Sequence, residues 1–454
     1  MSQAPDAMSE SLNYPATKRR AVASRSYRVK VAPSNGQTFT AGQTVNIDMP
    51  SNLAGTYCNW NQCYIKYKVT AAGHAARMDR VGAAGFISRV MCMTAGAQIF
   101  DLQNWNVLMT ILTDTDSSPS YKGGVGNVLM GMTSFQAGEE LAADTARTFC
   151  VPFVLHPFGM STPHRLMPLF SSSPVQFRIT LDSIANSLYT TGTAPTALTF
   201  SEVELVCVFT ELSPGAQAQV DQMSGGMYNV LASSYQNVGT TMGADSAVTA
   251  NLGISVSSLE RIIVCHRPTV QLNDKGYFSL GNRVMNGLSQ YQIFINGESY
   301  PARPVIVENK GAEALAEFLL SDHSLVNFDK QSSFNVAVET DAAGATNGLD
   351  GFAAILGVPQ PYSVDGVGNA YGALGAAAAG NSTISSFITG IELETGLSDG
   401  RSQRLYSGIS TISSTVNYRG TYSGAAAAQI DFFAQFTVLL SLNTRGTNTW
   451  SVSV

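Results

Sequence analysis

The chain repeats itself, faintly, at about half its length. The strand-like stretch Cys63–Val69 (CYIKYKV) has a counterpart in Arg261–Val270 (RIIVCHRPTV). Ser88–Thr94 (SRVMCMT) runs into Gly96, and Tyr291–Asn296 (YQIFIN) runs into Gly297. Each copy then carries a short apolar, helix-like segment closed by a small polar residue and an aspartate. These are Trp105–Leu112 before Thr113-Asp114, and Ala314–Leu320 before Ser321-Asp322. Offsets of about 200 residues are far longer than the ~20–50-residue units of solenoids, and they predict two copies of one domain. The runs are rich in Val, Ile, Phe, Tyr and Thr and are cut by Gly, Pro, Asn and Asp, which predicts strands and an all-β fold.

Composition narrows what such a pair can do. Of 454 residues, 44% are hydrophobic, enough for a sizeable core. Only 13% are charged, about half the usual share. Ser, Thr, Asn, Gln, Ala and Gly must cover the surface, which suits a chain packed against copies of itself. A net charge of −6 argues against a dedicated nucleic-acid-binding domain. No apolar run reaches the ~18 residues of a membrane-spanning helix. The N-terminus (MSQAPDAMSESLNYPATKRR) lacks the apolar core of a secretory signal, so synthesis in the cell interior is expected.

Four segments are expected. Residues 1–30 form a flexible N-terminal arm in which Lys18, Arg19, Arg20, Arg25, Arg28 and Lys30 place six positive charges without an acid between them. Such a cluster can lie on a negative surface such as phosphate; it reads equally as a solvated terminus or a sorting signal. Residues 31–211 form the first β domain, in which Val175–Leu181 (VQFRITL) alternates as a half-buried strand does. Residues 212–228 form a linker with a short helix around Ala216–Met223, set off by Pro214-Gly215 and Gly225-Gly226. Residues 229–454 form the second β domain, with a strand expected at Ile409–Tyr418. Two long loops stand out. Thr113–Gly138 carries four glycines at 123, 124, 126 and 131, and Gly366–Thr383 is a Gly/Ala-rich insertion with little capacity to build a core.

Catalytic and metal signatures are missing. Gly124-Val125-Gly126 and Gly366-Val367-Gly368 lack the third glycine of a dinucleotide turn. No two of His74, His156, His164, His266 and His323 lie within four residues of each other, so no local metal pair exists. Cys265 and His266 are adjacent in a strand and point to opposite faces, which excludes a nucleophile–base pair. Glu202 and Glu204 share a strand face without a cleft around them. The six cysteines, Cys58, Cys63, Cys92, Cys150, Cys207 and Cys265, sit mostly in apolar runs and read as buried thiols. Cys58 and Cys63 are spaced too widely for a zinc-type pair, and no second pair follows. No catalytic, cofactor or metal residue is expected.

One family resembles this pattern. Residues 148–188 read TFCVPFVLHPFGMSTPHRLMPLFSSSPVQFRITLDSIANSL, and 198–212 read LTFSEVELVCVFTEL. A strand, a turn at Pro157-Phe158-Gly159, a Leu-Met-Pro-Leu step, an alternating strand and a last strand with an acid near its end follow one another. This resembles the close of the first jelly roll in double jelly-roll major capsid proteins of viruses. Leu259–Asp274 (LERIIVCHRPTVQLND) and Leu288–Val305 (LSQYQIFINGESYPARPV) resemble the second jelly roll. The resemblance implies two tandem eight-stranded jelly-roll β-sandwiches with short helices and long loops. It implies a homotrimeric capsomer of pseudo-sixfold outline that tiles an icosahedral shell, placing the chain in the virion. Neighbouring capsomers and minor capsid or penton proteins are the implied partners. The basic arm would then meet genome or an internal membrane at the shell floor. Thr113–Gly138 and residues 340–383 would form outer towers. Both halves are short beside large members such as adenovirus hexon, which implies small towers.

Two other classes compete. A carbohydrate-binding or adhesin-type β-sandwich would show aromatic side chains on an exposed face, whereas Trp60, Trp105 and Trp450 sit in or beside apolar runs. A jelly-roll enzyme of cupin type would need clustered histidines, and no His-x-His occurs.

Overall fold

The computed structural model describes residues 24–133, 137–161, 164–190, 192–276, 278–307, 311–322, 387–394 and 408–454, with short strands at 339–340 and 346–347. The first half runs through β1 (Ser24–Val31), β2 (Thr38–Thr40), β3 (Thr44–Asp48), β4 (Thr56–Cys58), β5 (Tyr64–Ala71), β6 (Ala76–Asp79), β7 (Ile87–Thr94) and β8 (Ala97–Gln103). It continues with α1 (Trp105–Asp116), α2 (Pro119–Gly123), α3 (Val125–Met130), β9 (Ala137–Leu141), β10 (Arg147–Pro152), β11 (Met167–Pro168) and β12 (Val175–Leu181). It closes with α4 (Ile184–Ser187), β13 (Leu188–Tyr189) and β14 (Leu198–Leu212). Helix α5 (Pro214–Ser224) follows on the stretch expected to link the domains. Ser213 caps it, its hydroxyl accepting from the Ala216 N–H, with Pro214 in the first turn.

The second half contains β15 (Met227–Met242), β16 (Ala247–Asn251), β17 (Leu259–Pro268), β18 (Leu288–Ile295), β19 (Glu298–Ile306) and α6 (Ala312–Ser321). After them come β20 (Glu339–Thr340), β21 (Thr346–Asn347), β22 (Thr389–Glu392), β23 (Val416–Tyr422), β24 (Ala428–Asn443) and β25 (Trp450–Ser453).

The duplication is topological. One sheet of the first half holds β10-β5-β14 with β1 on the far side of β14; one sheet of the second runs β22-β17-β24-β15. The facing sheets run β3-β12-β7-β8 and β16-β23-β18-β19. Each half is thus an eight-stranded antiparallel sandwich of the same connectivity, which is the jelly roll. Even the hairpin turns agree. Ala95-Gly96 joins β7 to β8 with φ of 47° and 83°, and Asn296-Gly297 joins β18 to β19 with φ of 51° and 89°. Two successive positive-φ residues are what a tight two-residue hairpin requires.

Alternation places each core. Val175, Phe177, Ile179 and Leu181 of β12 point inward, and Phe177 meets Trp60 and Phe153 at ring distances of 5.2 and 5.3 Å. In the second half Tyr418 of β23 meets Phe432 of β24 at 5.1 Å. Each such buried side chain contributes roughly 1.5–3 kcal/mol. β17 is buried at all its positions, and its Arg261 reaches the Ser321 carbonyl and Asp322 at the end of α6.

Several expectations change. The arm of residues 1–30 is not flexible throughout: from Ser24 it is β1, paired along its length with β14 from Ser24↔Leu212 to Val31↔Leu205. The first sandwich therefore begins seven residues before the expected 31. Thr113–Gly138 is not a loop or tower: the end of α1, then α2 and α3 fill it, with Asp114, Lys122 and Met130 buried. Ile409–Tyr418 is not one strand. Ile409 bridges Leu259, Ser413 turns with φ of 62°, and β23 starts only at Val416. The Gly/Ala-rich insertion Gly366–Thr383 lies outside the described residues.

Candidate functional site: the basic stretch and the seam between the halves

The basic stretch divides at Ser24. Lys18, Arg19 and Arg20 lie outside the described residues. Arg28 and Lys30 stand on the solvent side of β1, while Tyr27, Val29 and Val31 turn toward the core; exposed Arg25 shares their face at the start of the strand, its guanidinium 5.1 Å from the Tyr27 ring. Two of the three cations are matched by the adjacent strand. Arg25 pairs with Glu211 at 2.8 Å and Lys30 with Glu204 at 3.0 Å. Lys66 on β5 extends this ladder to Glu204 and Glu202, both at 3.6 Å, and Lys68 also binds Glu202. Glu204 raises the pKa of the Lys30 ammonium, and the Lys68 hydrogen bond lowers that of the Glu202 carboxyl. Such exposed pairs are screened by water and add little stability. Arg28 is exposed and has no ion pair among the described residues. Glu202 and Glu204 are cross-strand partners of lysines, not an acid–base couple.

The strongest electrostatic feature is one that local patterns did not reveal. At the seam between the halves, Asp114 from the last turn of α1 accepts from three cations. Lys122 of α2 lies at 2.7 Å, Arg80 at 3.3 Å and Arg283 of the second half at 2.5 Å. All four side chains are buried. Beside them Asp79 accepts the Leu280 and Gly281 backbone N–H groups at 2.9 and 3.1 Å, and Arg80 donates to the Gly281 carbonyl. Gly281 must be glycine here: a Cβ would fall 2.4 Å from the Arg80 Nε and 2.5 Å from the Asp79 carboxylate. Burial alone would raise the Asp114 pKa, but Lys122, Arg80 and Arg283 together hold it well below the usual carboxylate range. Burial lowers the pKa values of Arg80 and Lys122 and raises that of Asp79.

Further contacts run along the same seam. Asn104 donates to Asn237 and Asp431 at 3.1 and 3.2 Å. Tyr189 stacks on Phe278 at 4.3 Å, and Phe158 meets Trp450 edge-on at 5.1 Å. The Ser172 N–H donates to the Asn448 carbonyl at 2.7 Å. Hydrophobic residues of both halves belong to one continuous core. The two sandwiches are therefore one rigid block rather than beads on a linker. Where α5 leaves the first half, Leu166, Met223 and Met227 are exposed beside Tyr57, Val220 and Tyr228 in an apolar groove.

Other sequence expectations can be placed. Trp60, Trp105 and Trp450 are buried and form no exposed aromatic platform. His156 and His266 are buried, and burial lowers their pKa values to about 3 and about 4. His266 shares a 2.9 Å hydrogen bond with Tyr422 across its sandwich. Cys150 is half-buried and the other five cysteines are buried. Among the described residues no helix is long and apolar enough to cross a membrane.

No protein-family model and no curated protein matches the sequence. Solved structures do match. PBCV-1 VP54 superposes with a TM-score of 0.61 at 11% identity, over 97% of this chain and 99% of that one. A chain of the Sputnik virophage gives 0.55 at 9% identity, over 100% and 92%. The Faustovirus major capsid protein gives 0.54 at 8% identity, over 94% and 92%. Matched over nearly its whole length, this chain has the double jelly-roll fold of these viral capsid proteins.

Proposed function

We propose that the chain is a viral major capsid protein, acting by self-assembly and not by catalysis. The observation that carries this is the fusion of two equivalent sandwiches into one rigid block by a buried seam. A single chain then supplies two similar wedges at fixed spacing. Three chains around a threefold axis present six wedges, the pseudo-sixfold outline that packs into a shell. The low charge content and the exposed apolar groove beside α5 suit surfaces that meet further copies. The carbohydrate-binding alternative loses its main support with the burial of all three tryptophans.

The basic stretch has a narrower role than six charges imply. Arg25 and Lys30 are used within β1, so contact with genome or an internal membrane falls to Lys18, Arg19, Arg20 and Arg28. Contact with minor capsid or penton proteins is part of the same proposal.

Light scattering of the purified chain, with negative-stain imaging of the same peak, tests the assembly. A species of three chain masses with a hexagonal outline is expected. A monomer persisting at high concentration would overturn it. Deleting residues 1–23 keeps β1 and should leave the trimer intact while impairing shell formation. Normal particles from the truncated chain would remove the arm from the assembly role.

A further inference from the structure

Three cysteines far apart in the sequence meet at one point in the first sandwich. Cys58 ends β4, Cys63 follows the helical turn Trp60–Gln62 and precedes β5, and Cys207 lies in β14, the strand that pairs with both. All three are buried. Their sulfurs lie within 4.8 Å of one another, and the Cys58 and Cys63 Sγ atoms are 3.7 Å apart.

The distance discriminates between chemistries. A disulfide needs sulfurs at about 2.05 Å. Thiolates around a metal ion with bonds of ~2.3 Å stand about 3.8–4.0 Å apart, along the edge of a tetrahedron or triangle. The Cys58–Cys63 separation of 3.7 Å is close to the second spacing and far from the first. The Cys63 Sγ also donates to the Asn59 carbonyl at 3.1 Å. Opposite Cys58 in the β11–β4 pairing stands Met167, whose sulfur accepts the Trp60 Nε1–H at 3.1 Å. That thioether is engaged, so three sulfurs are the donor set.

We propose that Cys58, Cys63 and Cys207 form a three-thiolate site for a thiophilic d10 metal ion, Cu+ held by the three sulfurs alone or Zn2+ completed by a water. Thiolate ligands select these ions over hard cations such as Mg2+ or Ca2+. All three thiols are buried, so the ion would enter as the sandwich closes and would release the thiol protons on binding. Its effect would be to tie the β4–β5 turn to β14, the strand at the centre of the first half. This inference concerns one domain's core and holds whether or not the chain builds a shell.

The test is elemental analysis of the full chain purified without chelator. About one zinc or copper per chain is expected to survive gel filtration; which element it is identifies the natural ion. Cys207→Ala should lose the ion, whereas Cys265→Ala, an equally buried cysteine outside the trio, should keep it. Should Cys207→Ala fail to fold, the wild-type chain decides alone. Refolded with Co2+, it should show thiolate-to-cobalt charge-transfer absorption. A wild-type chain that holds no ion, and gains none when refolded with Zn2+ or with Cu+ under reductant, overturns the proposal. So does a folded Cys207→Ala variant with unchanged metal content.

Discussion

The two sandwiches share connectivity, hairpin turns and a helix that ends in a buried aspartate, yet they neutralise that aspartate differently. In the second half, Asp322 at the end of α6 meets Arg261 of β17 at 2.8 Å, within its own domain. In the first half, Asp114 draws on α2 and on the other domain for its cations. The connection after α1 folds back as α2 and α3, and Lys122 of α2 supplies one of the cations at the seam. The second helix has its cation on β17 of its own sandwich. Duplication supplied two equal acids, and the seam took over only one of them.

The largest effect expected from this difference is on stability. Asp114→Asn leaves three buried cations without their carboxylate and should cost about 3–5 kcal/mol in urea unfolding. Asp322→Asn should cost less, about 1–3 kcal/mol. Arg261 keeps Gln435 at 2.6 Å, Tyr235 at 3.1 Å and the Ser321 carbonyl at 3.3 Å. Equal losses would break the comparison.

Among the described residues each half also buries one histidine, and pH separates them. Both folded pKa values lie below the ordinary ~6.5, so as pH falls the unfolded chain takes up protons first. The stabilisation is complete above pH ~6.5 and is lost progressively toward about 4 for His266 and about 3 for His156. By pH ~4 the loss should reach about 3 kcal/mol per histidine. Buried Asp79 and Glu260 are shifted up and act with the opposite sign, so variants are needed to isolate the imidazoles. His266→Gln and His156→Phe should each flatten the melting-temperature profile between pH 6.5 and 4 relative to wild type. An unchanged profile in both would show that the imidazoles do not set acid stability.

The smallest effect lies in the hairpins. Ala95 occupies a left-handed position where its counterpart is Asn296. Ala95→Asn should stabilise by roughly 0.5–1 kcal/mol, because asparagine tolerates positive φ better than alanine. A lower melting temperature would show that the two turns are not equivalent.

How much of this was legible in the sequence depended on the range of the interactions. Val175–Leu181 matched its strand to the residue and Ser88–Thr94 missed only Ile87 of β7, since alternation and flanking turns are local signals. The paired helices ending in aspartate were visible for the same reason. β1 was hidden because its charges suggested solvent, and the glutamates that match them lie in β14, about 180 residues away in the chain. The 113–138 segment was misjudged because glycine signals both flexibility and close approach. At Gly138 it is the latter: a Cβ would sit 2.5 Å from the Asp79 carbonyl. Cys207 could not be assigned to Cys58 and Cys63 by spacing, because only the pairing of β14 with β4 and β5 brings it there.

The buried charges at the seam also make the two halves depend on each other. Asp79, Arg80, Asp114 and Lys122 all belong to the first half, and their charges cancel, yet Asp79 accepts from Leu280 and Gly281 of the second half and Arg80 donates to the Gly281 carbonyl. Arg283 in turn meets an acid of the other half: among the described residues its only side-chain partner is Asp114. A gene split between the two sandwiches would leave these groups without their partners, so each half made alone should be less stable than the same half within the whole chain.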